Sequence, residues 1–390
     1  MSCVRKVTED LYWVGANDKR THLFENIHPI ERGVSYNSYL LMDKKKVLFD
    51  TVDWSVCREF LKNVEEVLDG APLDYLVINH MEPDHAASME EVLLRYPKCK
   101  VISNEKSFMF MHQFGFNVEG RKEEVKEGDT KCFGAHTVTF VAAPMVHWPE
   151  AMVTFDTTNG VLFSADAFGT FGSLDGKLFN DEVNFDRDWI DDARRYFCNI
   201  VGKYGPFVQH LLKKAATVPI KMFCPLHGPV WRTDLGYYID KHDKWSRYEP
   251  EEKGVLIVYA SMYGNTEAAA QELASTLCEK GMTNVVVYDV SKTHVSELVL
   301  ASVTYNLNIY PVMYDFLHHL KGLNFQKRTF GLIENGTWAI KSGSLMKEYI
   351  EENLKECMVL GAQVSVNSAV DESNKAEFTS LADSIIESMK

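Results

Sequence analysis

The sequence contains eight cysteines but no two of them in a CxxC arrangement. They are scattered singly, at positions 3, 57, 99, 132, 198, 224, 278 and 357. This spacing excludes a cysteine-ligated zinc or iron site, and it does not match the disulfide framework of a small secreted domain. We therefore expect reduced thiols.

Positive charge is also scarce. Lys and Arg number 41 against 55 Asp and Glu, which gives a net charge of -14. Such a chain repels phosphate backbones and anionic membrane surfaces, so neither a nucleic-acid nor a membrane partner is expected. No apolar run approaches the length of a membrane span, and the start, MSCVRKVTEDLYWVG, lacks the apolar region of a signal peptide. We expect a cytoplasmic protein.

The length of 390 residues exceeds what a single hydrophobic core usually supports, so two domains are expected. Residues 240–254, DKHDKWSRYEPEEKG, are polar and charged, contain Pro250, and end in a glycine just before the apolar run VLIVYA. This composition is typical of a linker. The predicted domains are residues 1–249 and 250–390.

The first predicted domain is rich in short β-like runs with helical runs between them. The helical runs are SVCREFLKNVEEVL, AASMEEVLLRY and the long DDARRYFCNIVGKYGPFVQHLLKKAA. The β-like runs are SYLLM, KKVLFDT, LDYLVINH, KVISN, HTVTFVAAP, EAMVTFDTTNG, GVLFSADAF and KMFCPLHG. This order predicts a layered α/β domain.

The second predicted domain alternates strands with helices and resembles a flavodoxin-type doubly wound parallel sheet. Only SKTHVSE, residues 291–297, joins its second and third strands, although a parallel crossover usually needs a dozen residues or more. Either this sheet has lost a helix or residues are missing from the sequence. The predicted strands are 255–260, 285–290, 298–302 and 329–334, and the predicted helices are 266–280, 312–320, 344–354 and 375–389.

The hexapeptide HMEPDH, residues 80–85, carries four potential metal ligands directly after an apolar strand. Strand ends are where α/β proteins place their chemistry, and Pro83 stiffens the predicted loop. The alternative is a polar turn that caps the following helix. The four candidate ligands are His80, Glu82, Asp84 and His85.

Three further candidates follow predicted strands: His147 in MVHWPE, Asp166 in SADAFG and His227 in CPLHG. One such residue would be an ordinary loop residue, but three in register with HMEPDH favour a metal site. Other histidines lack a comparable setting and are interpreted as surface or helix residues: His112, His210, His242, His294, His318 and His319.

This arrangement resembles the metallo-β-lactamase fold, whose two-metal site is formed by loops at one edge of a sandwich. Hydrolases of that superfamily carry the pattern His-x-His-x-Asp-His, whereas Glu82 takes the second histidine position here. Four imidazoles and three carboxylates without a thiolate suit non-haem iron, and a carboxylate can bridge two ions. Zinc is the alternative.

The segment YASMYGNTEAAA, residues 259–270, follows a predicted strand and opens a predicted helix. Hydroxyl groups, backbone N–H groups and the helix dipole can bind a terminal phosphate there. The lysine of the Walker pattern is absent, which favours FMN over a nucleoside triphosphate. The alternative is a simple helix cap. The candidate contacts are Ser261, Met262, Tyr263, Gly264, Asn265 and Thr266.

Two later loops fall where a flavodoxin holds its isoalloxazine ring, namely residues 301–311, ASVTYNLNIYP, and residues 334–343, ENGTWAIKSG. Backbone amides in such loops can bind the polar edge of the ring while an aromatic side chain packs on its face. Taken singly, each could be a packed loop. The candidate contacts are Ser302, Thr304, Tyr305, Asn306, Asn335, Gly336, Thr337 and Trp338.

The whole chain resembles a flavodiiron protein, also called an A-type flavoprotein, and LFENIHPIERGVSYNSYLL near the start looks like this family too. The resemblance implies an αββα sandwich with a diiron site, followed by a flavodoxin-like FMN domain. It also places His28 and Tyr196 near the iron pocket, where either could stabilise bound intermediates or simply pack. The implied ligands are His80, Glu82 and His147 for one iron and Asp84, His85 and His227 for the other, with Asp166 as the bridge.

By this resemblance the protein is an oxidoreductase that reduces dioxygen to water or nitric oxide to nitrous oxide, with electrons passing through FMN. Because there is no CxxC pair, rubredoxin is not expected within this chain, and a separate rubredoxin or another reductase is implied as the donor. The family also implies a head-to-tail homodimer, or a dimer of dimers, that pairs the FMN of one subunit with the irons of the other. Two rival interpretations stay open: a zinc hydrolase, and a flavin electron carrier with a degenerate metal domain.

Overall fold

The computed structural model describes residues 3–290 and 299–390. By their internal contacts they divide into a first unit, Met1–Arg247, and a second unit, Tyr248–Lys390. The predicted domain boundary lay two residues further along the chain, between 249 and 250. The connection at 291–297 and the predicted strand start at 298 lie outside the described residues.

The strands of the first unit form two main sheets and two short ribbons. One sheet has the order β1-β2-β7-β8-β9-β10-β11, and the other has the order β12-β13-β14-β15-β16. The strands are β1 (Arg5–Lys6), β2 (Leu11–Trp13), β3 (Ala16–Asp18), β4 (Leu23–Phe24), β5 (His28–Pro29), β6 (Val34–Tyr36), β7 (Tyr39–Met42), β8 (Lys46–Phe49), β9 (Tyr75–Val77), β10 (Lys100–Ser103), β11 (Lys122–Glu124), β12 (Thr130–Cys132), β13 (Thr137–Ala142), β14 (Met152–Asp156), β15 (Val161–Phe163) and β16 (Met222–Cys224).

The helices of the first unit connect these strands. The run predicted as one long helix, residues 191–216, is interrupted by a π-turn at Phe197–Val201 and a 3-10 turn at Gly202–Tyr204, after which Pro206 stands in the first turn of a new helix. The helices are α1 (Cys57–Leu68), α2 (Pro83–Ala86), α3 (Met89–Arg95), α4 (Glu105–Gln113), α5 (Phe185–Asp188), α6 (Ile190–Tyr196), α7 (Gly205–Ala215) and α8 (Leu235–Ser246).

The two sheets pack face to face between helices. Phe49 of β8 stacks on Phe163 of β15, with ring centroids 3.8 Å apart. On the outside of the first sheet, α1 packs on β7 through an apolar face that includes Phe60 and Val64, spaced as one face of a helix requires. Buried aromatic area of this kind supplies most of the driving force for folding.

Helix α8 covers the second sheet and corrects the linker prediction. Residues 240–246 were expected to be linker, but they lie inside this helix. Its buried face carries Tyr238, His242 and Trp245, and the His242 ring lies 4.6 Å from that of Phe168, which stacks on Phe223 of β16. Burial lowers the pKa of His242 to about 4, so it packs as a neutral ring. Charged residues stand between these positions, so the helical spacing of the buried residues was not recognised in the sequence.

The second unit is a parallel sheet of order β18-β17-β19-β21-β22, with β20 paired antiparallel to β19. Helices α9 and α12 bury residues such as Leu273 and Leu381 on one face, while α10 and α11 bury Leu317 and Met346 on the other. The elements are β17 (Val255–Ala260), α9 (Asn265–Glu279), β18 (Val285–Asp289), β19 (Val299–Tyr305), β20 (Asn308–Ile309), α10 (Pro311–Gly322), β21 (Thr329–Gly336), α11 (Ser342–Asn353), β22 (Met358–Asn367) and α12 (Lys375–Ser388).

The sequence reading missed strand β22. Its segment, MVLGAQVSVN, is interrupted by polar residues, and these have partners in the sheet. Gln363 Nε2 and Ser365 Oγ both donate to Glu334 Oε1 of β21, at 2.7 and 2.8 Å. The neighbouring strand therefore provides hydrogen-bond partners for the polar side chains of β22. In the sequence, these polar residues make the segment look unlike a buried strand.

A buried histidine links the two sheets of the first unit. His136 Nδ1 lies 2.6 Å from Asp156 Oδ2 of β14, and Nε2 lies 2.8 Å from Asp10 Oδ2, just before β2. Asp43, between β7 and β8, accepts from the backbone N–H of His136. Burial lowers the pKa of His136, but the hydrogen bonds to Asp156 and Asp10 outweigh burial and leave the pKa above its usual value. The protonated form of His136 is thus favoured between these two carboxylates.

We expect His136→Ala to lower the free energy of unfolding of the first unit by about 2 kcal/mol near pH 6, because a buried carboxylate loses its partner. A histidine in the unfolded chain has a pKa of about 6.5, so the contribution of the cation to the free energy of unfolding is fully present below that pH. It is lost as the pH rises through the higher folded pKa. Six of the seven tryptophans lie in residues 1–247, so urea unfolding followed by tryptophan fluorescence reports this unit.

The control is His112→Ala on the exposed side of α4. The difference between His136→Ala and the unaltered protein should shrink between pH 6 and pH 9, while the control should match the unaltered protein throughout. A His136→Ala penalty that does not change with pH would show that His136 is not charged in the folded state.

Candidate metal and flavin sites

The start of the HMEPDH segment is held in place by a buried carboxylate. Asp50 Oδ1 accepts from the backbone N–H groups of Asn79 and His80, at 2.7 and 3.3 Å, and Oδ2 accepts from Asn79 Nδ2 at 2.8 Å. Burial raises the pKa of Asp50 to about 6. Three bonds to one side chain fix the direction in which the chain leaves β9, and so they position the His80 ring.

The remainder of HMEPDH corrects the prediction of a loop. Pro83 begins the short helix α2, so Asp84 and His85 lie in a single helical turn that follows Glu82. The backbone carbonyl of His85 accepts from Thr51 N and Thr51 Oγ1, at 2.9 and 2.6 Å. A helical turn therefore presents Asp84 and His85 side by side on a fixed backbone.

The three later candidates reach the same edge from the second sheet. His147 lies in the connection between β13 and β14, Asp166 follows β15, and His227 follows β16. Ala165 has φ 50, a left-handed conformation directly before Asp166 that turns the chain off the strand. All seven predicted ligands are brought together.

The first group of potential ligands contains His80, Glu82, His147 and Asp166, whose ligand atoms all lie within 4.8 Å of one another. Glu82 Oε2 lies 3.2 Å from His80 Nε2 and 2.9 Å from His147 Nε2. Asp166 Oδ2 lies 3.1 and 3.3 Å from the same two nitrogen atoms. Two imidazoles and two carboxylates therefore point at one small volume.

The second group contains Asp84, His85 and His227. Asp84 Oδ2 lies 3.3 Å from both His85 Nε2 and His227 Nε2. Asp166 Oδ1, the other oxygen of the shared carboxylate, lies 3.3 and 3.5 Å from these two nitrogen atoms. Asp166 therefore directs one oxygen to each group.

The chemistry of this donor set fits a pair of cations. Both carboxylate oxygens of Asp84 and of Asp166 are buried and make no hydrogen bond to any residue that the structure describes. The Nε2 atoms of His85 and His227 face each other at 3.1 Å. Buried oxygens and lone pairs that converge in this way are explained by metal ions, which bind both.

Neighbouring charges within the site act strongly on one another. Burial lowers the pKa of His147, but the adjacent carboxylates of Asp166 and Glu82 outweigh burial and raise the pKa to about 9. Burial raises the pKa of Asp166, yet His85 and His80 hold it well below its usual range. Asp166 is thus ionised beside a protonated His147, and a cation that binds here replaces the proton on His147.

Two supporting residues were missed by sequence reasoning. Glu150 Oε1 accepts from His80 Nδ1 at 2.8 Å, and the carbonyl of Ser35 accepts from His227 Nδ1 at 2.8 Å. Each bond fixes the ring so that Nε2 faces the other ligands. A glutamate three residues after His147 was the only available signal for Glu150, and a backbone carbonyl leaves no signal in the sequence.

Aromatic rings surround the second group. The rings of Phe24, Tyr36 and Tyr196 lie 5.4, 5.7 and 5.5 Å from that of His227. The Tyr196 hydroxyl is buried and makes no hydrogen bond to the described residues, while burial and the negative charge of Asp166 raise its pKa. His28 lies one ring further out, 6.4 Å from Phe171 and 3.7 Å from Glu25 Oε2.

The predicted phosphate loop joins β17 to α9. Gly264 has φ 85, a conformation that glycine adopts without strain, and its N–H donates to Ser261 Oγ at 3.0 Å. Thr266 is buried in the first turn of α9, next to Asn265. Met262 and Tyr263 are exposed, Tyr263 to 90%. The loop thus presents backbone N–H groups at a helix N-terminus beside an uncovered aromatic ring.

The predicted ring-binding loops differ from expectation in their local structure. Ser302, Thr304 and Tyr305 belong to β19, and a tight turn with φ 49 at Asn306 leads into β20. Thr304 Oγ1 accepts from Lys341 N and Ser342 N, at 2.9 and 3.0 Å, so this hydroxyl caps helix α11.

The other predicted ring contacts lie at the end of β21. A Cβ on Gly336 would lie 2.2 Å from Ala339 O, so only glycine fits. Buried Asn335 donates to Ser368 O at 3.3 Å, and Thr337 Oγ1 accepts from Ser368 Oγ at 3.1 Å. Trp338 is 79% exposed. Strands β17, β19 and β21 are neighbours, so their carboxyl ends form one edge with exposed aromatic rings.

Comparison with known families matches both units. Residues 34–228 match the family described as ODP family beta lactamase, and residues 257–380 match flavodoxin. The first match includes all seven potential ligands, and the second includes the loops after β17, β19 and β21. The predicted fold class, an αββα sandwich followed by a flavodoxin-like parallel sheet, is confirmed.

Individual relatives extend this similarity over most of the chain. The anaerobic nitric oxide reductase flavorubredoxin of Aeromonas hydrophila is 32% identical over 348 residues, which cover 85% of this chain and 70% of the relative. Rubredoxin oxygen:oxidoreductase of Desulfovibrio gigas superposes with a TM-score of 0.92 at 26% identity, covering 99% of this chain and 98% of the other.

A flavodiiron protein of Giardia intestinalis shares the fold, with a TM-score of 0.91 at 23% identity over 98% of this chain and 97% of the other. The predicted cofactors, FMN and a pair of non-haem irons, are those that the flavodoxin match and the names of these proteins indicate, and the donor set fits them. The chain belongs to the flavodiiron protein family.

Proposed function

We propose that this protein is an oxidoreductase that reduces dioxygen to water, nitric oxide to nitrous oxide, or both. The observation that carries the proposal is the Asp166 carboxylate, which directs one oxygen to each of two ligand groups in a chain that also has a flavodoxin unit. A zinc hydrolase would have no use for the second unit. A simple flavin carrier would have no need for seven converging ligands.

The proposed metal site follows the two ligand groups. One iron would be held by His80, Glu82 and His147, and Asp166 would be shared with the other iron. Nitrogen and oxygen donors without a thiolate support iron over a structural zinc. Because His85 Nε2 lies within the second group, we propose His85 as a ligand of the second iron. The ligands of the second iron are Asp84, His85 and His227.

The proposed FMN site lies at the carboxyl ends of β17, β19 and β21. The N-terminus of α9 and the loop around Gly264 bind the phosphate, because backbone N–H groups and the helix dipole favour an anion there. Exposed Tyr263 and Trp338 supply aromatic faces for the ring. The hydroxyl of Thr304 caps α11, so we assign any contact from this residue to its backbone.

When bound, an iron pair would supply the binding position for the gas, and FMN would supply electrons one or two at a time. The residues of this chain control the surroundings of that reaction. Phe24, Tyr36 and Phe171 keep the pocket dry, and the buried Tyr196 hydroxyl can donate a hydrogen bond to a bound gas. His28, which lies near Glu25, is proposed to help Tyr196 to stabilise bound intermediates.

A separate rubredoxin or another reductase is proposed as the electron donor, as the name of the Desulfovibrio gigas relative indicates for that protein. Among the described residues, no helix is both long enough and apolar enough to cross a membrane. The eight cysteines are all free thiols, which supports the predicted cytoplasmic location.

We further propose a head-to-tail homodimer, alone or as a dimer of dimers. The metal ligands and the flavin loops belong to different units, and the flavin edge exposes Tyr263 and Trp338, which a second subunit would cover. A two-fold axis would pair the FMN of each subunit with the irons of the other and create two equivalent sites.

Elemental analysis of protein expressed with iron available should find about two irons per chain. His227→Ala should reduce this to about one, because only the second group loses a ligand. Asp166→Ala should remove most of the iron at both positions, because the two groups share this residue. His210→Ala, at an exposed position of α7, is the control. Zinc at full occupancy in the unaltered protein would contradict the assignment of iron.

The activity is tested by consumption of dioxygen and of nitric oxide by the reduced, FMN-loaded protein. His147→Ala should lower both rates by more than about 100-fold, because even residues behind metal ligands typically change activity by about 10–100-fold. The flavin absorption spectrum should be unchanged. If the variant lost FMN as well, the two sites would not be independent; if it kept its rates, the first ligand group would not carry the reaction.

The dimer is tested with a mixed dimer of two differently tagged chains. One chain carries Asp166→Ala, and the other carries Thr266→Ala with Gly264→Val, which removes a phosphate contact and strains the loop. Because the flavin of the first chain would serve the irons of the second, one working site and about half the normal rate are expected. An inactive mixed dimer alongside active unaltered dimers would mean that electrons pass within one chain.

A further inference from the structure

Glu150 is a buried carboxylate behind the first group of metal ligands. It lies between His147 and strand β14, its side chain is fully buried, and Oε1 accepts from both His80 Nδ1 and Met81 N, at 2.8 and 2.9 Å. Asn104 Nδ2 donates to its backbone carbonyl at 2.7 Å, which anchors this part of the loop. Glu150 therefore belongs to the fixed framework of the site.

The corresponding support in the second group is electrically neutral. His227 Nδ1 donates to the backbone carbonyl of Ser35 at 2.8 Å, the same distance at which His80 Nδ1 meets Glu150. Both bonds require a proton on Nδ1 and leave the Nε2 lone pair for a metal ion. The two imidazoles are thus held by equivalent hydrogen bonds. They differ because a carboxylate lies behind His80, whereas a neutral carbonyl lies behind His227.

The carboxylates among the ligands do not offset this difference. Glu82 belongs to the first group and Asp84 to the second, while Asp166 is shared, so each group has one carboxylate of its own. Glu150 adds a further negative charge to the first group alone. A carboxylate hydrogen-bonded to a ligating histidine makes the imidazole a stronger electron donor to the metal. In a buried site, solvent screens this effect little.

We propose that Glu150 makes the two metal positions unequal, so that the position bounded by His80, Glu82 and His147 binds a divalent cation first and more tightly. This inference rests on the two-metal site of the proposed function. Glu150 acts through His80 and is a positioning residue. The same charge favours the higher oxidation state at this position, so the two irons would also differ in redox behaviour.

The test is a Zn²⁺ titration of the full-length, chelator-stripped protein, read against a competing metal indicator. The unaltered protein should show two classes of site with different affinities. Glu150→Gln keeps an oxygen that can accept from His80 and Met81 but removes the charge. It should weaken the tighter class by about 10–100-fold and leave the weaker class unchanged. His227→Ala should remove the weaker class, which assigns the classes to positions.

Two further variants separate charge from contact and from stability. Glu150→Ala removes both the charge and the hydrogen bonds, so its effect on the tighter class should equal or exceed that of Glu150→Gln. Asp156→Asn removes another buried carboxylate, one bonded to His136, and should leave both zinc affinities unchanged. If Glu150→Gln binds zinc as the unaltered protein does, or weakens both classes equally, the inference is overturned.

This experiment is independent of the test of function, since zinc is redox-inactive and the titration needs neither flavin turnover nor gas. Two equal zinc sites in the unaltered protein would overturn the role of Glu150 and leave the proposed gas reduction intact. Unequal sites that respond to Glu150→Gln, in a protein that consumes neither gas, would reject the proposed function and retain the inference.

Discussion

Asp166 must present its two carboxylate oxygens to two different groups of ligands, and the arrangement of the first unit depends on that requirement. Its oxygens lie 3.1 Å from His80 and 3.3 Å from His85, which both come from the segment after β9 in the first sheet. Asp166 itself follows β15 in the second sheet. The site can therefore form only where the two sheets bring these strand ends together, and the stacked rings of Phe49 and Phe163 hold the sheets in contact.

Support behind the ligands uses several kinds of hydrogen-bond partner. Asp50 fixes the backbone at His80, Thr51 fixes it at His85, and Glu150 and the Ser35 carbonyl orient two of the imidazole rings. These are short bonds in a buried region, where an unsatisfied polar group costs about 1–3 kcal/mol. The same network that satisfies the backbone thus determines the direction of the ligands, so fold stability and site geometry are coupled.

The sequence singled out the seven candidate ligands that the fold brings together, because their segments follow strands of the two sheets, as the HMEPDH segment follows β9 and Asp166 follows β15. It predicted α8 and β22 poorly, and for a shared reason. In both segments polar side chains obscure the buried face: charged residues separate Tyr238 from His242, and Gln363 interrupts β22 while bonding to Glu334. Such partners are distant in the chain, so local pattern carries no information about them. Glu150 was missed for the same reason, since its position three residues after His147 does not indicate that it faces His80, 70 residues away in the chain.

The distance along the chain between the ligands also bears on how the protein acquires its metal. His85 and His227 are 142 residues apart in sequence, and their Nε2 atoms come within 3.1 Å only after both sheets have formed. An unfolded or partly synthesised chain offers at most the HMEPDH half of the site. Iron delivery should therefore follow folding, and the ions then stabilise the folded state by mass action in proportion to their free concentration. Iron supply in the cell would thus affect how long the first unit survives proteolysis, in addition to its activity.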